Sequence, residues 1–133
     1  MSNNRDRHIL RKLINHIDHT LEYCEGVDFD AFVNNRMLQE ACVFNVLQIG
    51  ELSRNALNDD FKDAHPEIPW RQMYGLLNRI VHDYEGVRLK IVWDTITQDF
   101  KPVRDQLQTI LDILECHLCS SCPGNYEATS SIP

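Results

Sequence analysis

Asn78, Arg79, His82 and Tyr84 stand within seven residues, in the stretch LLNRIVHDYEG from Leu76 to Gly86. An imidazole changes protonation near neutral pH without any perturbation, which suits it to moving a proton. A guanidinium beside it can hold a phosphate or stabilise charge that develops on one. Successive residues of a helix turn by about 100°. Asn78 and Arg79 therefore fall within about 60° of His82, one on each side, and Tyr84 is displaced toward the helix end. An amide, a cation and an imidazole thus share one face. A histidine near a helix end can also be purely structural, so the surrounding elements matter.

Those elements read as helices throughout. Pro69 suits the first turn of the motif helix, where its missing N–H costs nothing, and Gly86 suits a left-handed helix stop. Upstream, Ile9, Leu10, Leu13, Ile14, Ile17 and Leu21 recur at three- and four-residue spacing, which predicts an amphipathic helix ending near Gly26. Asp28 can cap a short helix over FDAFVNN. From Arg36 to about Leu57 apolar residues cover most of the circumference, which predicts a central, buried helix. Asn45, Gln48 and Glu51 form a polar stripe along it, readable as a self-satisfying hydrogen-bond network or as the border of a site. DDFKDAHPEIPW reads as a connector. After Gly86, Leu89, Val92, Ile96, Phe100, Val103, Leu107, Ile110, Leu114 and Leu118 predict one long helix, or two with a kink at Pro102. No strand alternation appears. The expected fold is all-α, an up-and-down bundle of about four main helices, in a domain over 1–115 followed by a flexible Cys-containing tail over 116–133.

Charge limits the partners. The chain of 133 residues carries a net charge of −7, a field that repels phosphates and argues against indiscriminate nucleic-acid binding; DNA is not an expected partner. The charge is uneven: residues 1–15 sum to +3, 16–68 to −8, 69–104 to +2 and the remainder to −4. The motif lies in one of the two basic stretches, so any RNA site is a local basic cleft. No apolar run reaches the roughly 20 residues that cross a bilayer, so no membrane partner is expected. MSNNRDRHILRK lacks the apolar core of a signal peptide, and the expected location is the cytoplasm. Five cysteines, an odd number, do not suggest a closed disulfide framework. Cys116, Cys119 and Cys122, with His117, offer metal-type donors, but four crowded into seven residues with no second pair elsewhere reads better as a fraying helix end than as a metal site.

VDFDAFVNN, ACVFNVLQIGEL, HPEIPWRQMYGLLNRIVHDYEGV and LKIVWDTITQD resemble the HepT-like family of HEPN-domain ribonuclease toxins, over about residues 5–115. The resemblance implies an all-helical homodimer with two motif helices facing each other across a cleft, and RNA cleavage without metal or other cofactor. It also implies a partner, a minimal nucleotidyltransferase antitoxin that attaches AMP to the motif tyrosine. The family motif is arginine, four residues, histidine, one residue, tyrosine. His82 matches the histidine, Tyr84 the tyrosine and Asn78 the polar residue that often follows the arginine. Leu77 occupies the arginine's own position, and Arg79 resembles the family's frequent second arginine. By resemblance, His82 transfers protons, Arg79 substitutes as the phosphate-binding cation with Arg71 as a further candidate, Asn78 orients, and Tyr84 is the adenylylation site. Two functions remain open. One is a HepT-like endoribonuclease toxin, attenuated by Leu77. The other is a catalytically silent HEPN homodimer that binds a nucleotide or a partner.

Overall fold

A computed structural model describes residues 2–82 and 89–118, with backbone alone at 2–3, 76–77, 80–82 and 117–118. Helix α1 spans Ser2–Tyr23, α2 Phe29–Val33 and α3 Arg36–Glu51, and α3 continues as a π-helical turn over Leu52–Ala56. Then come α4, Asp59–Ala64, and α5, Trp70–His82. A final rod is built from α6, Leu89–Asp94, a π-helical turn over Thr95–Asp99, and α7, Phe100–Leu118. Among the described residues there is no strand. The fold is all-α, with α1, α3, α5 and the α6–α7 rod as its four main helices.

Local chemistry sets several of these boundaries. Gly26, at φ +74°, supplies the left-handed residue that follows α1. Asp28 caps α2, its carboxylate accepting the Ala31 N–H at 2.9 Å. Asn35 caps α3 in the same way, through the Leu38 N–H at 3.0 Å. The stretch DDFKDAHPEIPW is more than a connector. Asn58 caps α4 through the Phe61 N–H at 2.8 Å, and Phe61 packs its ring against His65 and Trp70, 4.6 and 6.5 Å between centroids. Six residues would not hold a helix alone; the docked aromatic ring stabilises it. The stop foreseen at Gly86 lies outside the described residues.

The core runs along α1 and its neighbours. Leu10, Leu13 and Ile17 of α1 are buried with Cys42, Val46 and Ile49 of α3 and with Phe100, Val103, Leu107 and Ile110 of α7. The rod packs on α1, α1 on α3, and α3 on α5. Arg104 fastens the first of these contacts, its guanidinium donating to Asp18 at 2.9 and 3.3 Å. Cys24 and Cys42 are free buried thiols with sulfurs 3.6 Å apart.

One expectation needs correction and one alternative is decided. Helix α3 is not buried all round: Met37 is 82% exposed and Phe44 56%. An apolar circumference says what a helix can bury, but the number of neighbours decides what it does bury. The second concerns Pro102, which left open one long helix or two with a kink. Helicity continues through it, because the turn just before the proline widens and the Phe100 N–H bonds to the Thr95 carbonyl, five residues back. A proline cannot donate to the carbonyl four residues earlier, and its ring crowds that carbonyl; a π turn relieves the conflict without ending the rod.

Candidate functional site

Helix α5 carries the motif, and its position is fixed from its first turns. The Trp70 indole N–H donates to the His65 carbonyl at 3.0 Å, while the ring itself is buried. One turn later the Tyr74 hydroxyl donates to the Ser53 carbonyl at 3.1 Å and accepts from Lys62 Nζ at 2.6 Å. Lys62 is a buried lysine, and the same ammonium also donates to the Ser53 and Arg54 carbonyls at 2.9 and 3.2 Å. Asp59 stands 3.8 Å away as its counter-ion. The π turn at the end of α3 exposes carbonyls that no following helical N–H claims. Lys62 satisfies two of them and passes the tie on to α5.

Arg71, in the first turn of α5, is exposed, and so are Asn78 and Arg79 farther along. The structure therefore places Asn78 and Arg79 at the surface of the helix that ends at His82. The side chains of Leu77 and His82 lie outside the described residues, as does the whole of Tyr84, so their contacts with Asn78 and Arg79 are not part of the observed geometry.

The electrostatics of the basic stretch are clearer than its composition suggested. Lys90 pairs with Asp94 at 2.6 Å, Lys101 with Asp105 at 3.1 Å and Arg104 with Asp18 at 2.9 Å. The Asp18 carboxylate raises the Arg104 pKa further above its ordinary value. Among the described residues, Arg71 and Arg79 have no such partner. Among the described residues of this stretch, the cations left to meet a phosphate are those on α5.

The polar stripe on α3 resolves differently. Asn45 is buried, its carbonyl 2.8 Å from His16 Nδ1 and its amide donating to the Ala41 carbonyl at 2.9 Å. It joins α1 to α3 and satisfies itself internally. For metal, no cluster of three or more histidine, cysteine or acidic residues suited to an ion occurs among the described residues. Cys116 lies within α7, and Cys119 and Cys122 fall outside the description. No described helix is long and apolar enough to cross a membrane.

Beside α5 runs a groove that the sequence reading missed. Helix α5 and the rod stand on either side of it, over a floor of Ile17, Val46 and Ile49. Its walls include Met73, Phe100 and Val103, and its rim carries Gln72, Thr95, Asp99 and Gln106. The space measures about 400 Å³. Neither the groove nor the Lys62–Tyr74 tie had a periodic signal. Both arise where distant turns meet.

The bundle, with its polar motif surface at the end of α5, is a fold of the HEPN-like kind. The chain belongs to the HepT-like ribonuclease family: residues 13–110 match the family described as Ribonuclease HepT-like. Similar proteins include one from Methanocaldococcus jannaschii named, provisionally, RNase MJ1380; it is 27% identical over 110 residues, 83% of this chain and 100% of that protein. A second, from Caldanaerobacter subterraneus subsp. tengcongensis and named provisionally RNase TTE0752, is 31% identical over 72% of this chain and 91% of its own. A third, from Thermococcus cleftensis and named with similar reserve ribonuclease HepT, is 33% identical over 67% of this chain and 80% of its own. No solved structure matches the chain.

Proposed function

We propose that this protein is a metal-independent endoribonuclease, the toxin of a toxin–antitoxin pair, with activity attenuated by Leu77. The observation that carries the reading is the pair Asn78 and Arg79, exposed on the helix that ends at His82 in a chain of the HepT-like ribonuclease family. Cutting RNA without metal requires deprotonating a 2′-hydroxyl, stabilising the pentavalent phosphorane and protonating the leaving oxygen. In this reading His82 moves the protons, Arg79 holds the phosphate with Arg71 nearby, and Asn78 orients the reacting group. Two copies pair so that their α5 helices face each other and two His82 side chains divide base and acid roles. The exposure of Met37 and Phe44 supports a further partner surface on α3. Tyr84 is the residue to which a nucleotidyltransferase antitoxin attaches AMP. A phosphate added two residues from His82 then excludes the RNA phosphate by charge and bulk.

The second reading, a silent homodimer that binds a nucleotide or a partner, rests on Leu77 in place of the motif arginine. Incubating single-stranded RNA with the protein in EDTA separates the two. Cleavage that disappears in His82→Ala supports the enzyme, and intact RNA at high protein concentration supports the silent module.

A further inference from the structure

The groove between α5 and the α6–α7 rod has a chemistry of its own. Its floor and walls are apolar, and its rim offers the amides of Gln72 and Gln106 together with the carboxylates of Glu67 and Asp99. Among the described residues no cation lines it, and the two carboxylates disfavour a phosphate there. Glu67 already faces His65 at 3.5 Å, whereas Asp99 has no hydrogen-bonding or ion-pair partner among the described residues. What fits is a flat, neutral group with apolar faces and an edge rich in N–H donors. A volume of about 400 Å³ lies within the range of small-ligand pockets.

The groove also lies in register with the motif. Gln72 precedes Arg79 by seven residues, two helical turns, which places both on nearly the same line of α5 about 10.5 Å apart. A group seated beside Gln72 can remain attached to a phosphate that meets Arg79. We propose that the groove takes an unstacked nucleobase of the RNA, guanine before the others, while the adjoining phosphate stays outside on Arg79. This rests on the ribonuclease reading and adds to it a source of sequence preference. Single-stranded RNA is read in this way elsewhere, by splaying bases into apolar sites and bonding their edges. Guanine presents adjacent N1–H and N2–H donors that suit the two oxygens of Asp99. Uracil offers a single N–H flanked by carbonyls, which the same carboxylate repels.

Titrating the full chain with GMP and, separately, UMP, while following the methyl resonances of Met73, Ile49 and Val103 by NMR, tests the assignment. GMP is expected to move these resonances, with UMP about tenfold weaker, the scale of one well-made edge contact. Inorganic phosphate should leave them in place, and Asp99→Asn should erase the preference for GMP. Groove methyls unmoved by GMP overturn the proposal, as does equal response to both nucleotides. A response to GMP that vanishes as protein concentration rises overturns it too, because a second copy then fills the groove. Its failure is distinguishable from failure of the ribonuclease reading. RNA cut without base preference by a protein that does not bind GMP removes only the groove. GMP bound in the groove of a protein that cuts no RNA removes only the ribonuclease.

Discussion

The Lys62 ammonium lies 2.6 Å from the Tyr74 hydroxyl and 5.0 Å from the centre of its ring, so one buried cation joins α4, the π turn after α3, and α5. Because α5 carries Asn78 and Arg79, whatever loosens this contact moves the motif surface relative to the bundle.

Replacing Lys62 by methionine keeps the apolar volume and removes the donor. The Arg54 carbonyl then loses its side-chain donor and the Ser53 carbonyl keeps only the Tyr74 hydroxyl, at about 1–3 kcal/mol for a buried group left unsatisfied. We expect Lys62→Met to destabilise the fold by about 2–4 kcal/mol and Tyr74→Phe by about 1 kcal/mol. Urea unfolding measures both. Equal stability of Lys62→Met and the parent would show that the tie carries no weight.

Leu77→Arg tests the missing cation. Restoring a fixed charge near the scissile phosphate should raise RNA cleavage on the order of 10² or more, the scale of one charge-stabilising donor. His82→Ala should abolish the parent and the enhanced activity alike. Arg79→Ala should harm the parent more than the Leu77→Arg protein. Thermal unfolding is recorded alongside, and a stable Leu77→Arg protein that leaves RNA intact decides for the silent module.

Adenylylation should select Tyr84. After incubation with a partner nucleotidyltransferase and ATP, mass spectrometry should locate AMP on the peptide containing HDYEG. Tyr74 is a poor competitor, since its hydroxyl is held by Lys62 and the Ser53 carbonyl. AMP on Tyr74 or Tyr126 would sink the assignment.

Asp6 gives a pH dependence with a definite sign. Asp6 is 3% exposed and, among the described residues, its Oδ1 has no hydrogen-bond partner. Burial raises its pKa above the ordinary 3.8, against the opposing charges of Arg5 and His65. The folded state thus holds this proton more tightly than the unfolded chain. Stability contributed by Asp6 is therefore lost as pH rises from the ordinary carboxylate value through the raised one, and stays lost above it. Asp6→Asn should remove that slope and raise the unfolding midpoint at neutral pH. A lower midpoint across the whole range would show that the carboxylate is held by a favourable contact.

Much of this architecture was readable in the chain because it rests on local repetition. The α1 residues Leu10, Leu13 and Ile17 and the α7 residues Val103, Leu107 and Ile110 follow the helical period, and each is buried as that period requires. The Asp28 cap was legible for the same reason, since it acts on an N–H only three residues away. What escaped depends on meetings between distant residues. Helix α4 has Phe61 as its one large apolar side chain, and docking beside Trp70 holds it in place. Met37 and Phe44 looked like core until the number of neighbours around α3 was known. At the site, Asn78 and Arg79 are exposed, while the His82 side chain that they were expected to flank lies outside the described residues. Lys62 gave no sign in the sequence that it would anchor that helix.

The π turn over Thr95–Asp99 has a consequence for chain length. Such a turn is how a helix absorbs one surplus residue without breaking, and here the surplus swells one wall of the groove, where Thr95 and Asp99 sit. Removing a residue from this turn would draw the rod back to ordinary helical pitch. The Leu89–Asp94 segment would keep nearly its present face toward the core, because the wide turn and the ordinary turn that replaces it sweep almost the same angle, but Pro102 would press against a carbonyl. A relative one residue shorter at this point should therefore lack the proline, and it would present a flatter wall to the groove. Insertions and deletions here, more than substitutions, are what would retune the groove among related chains.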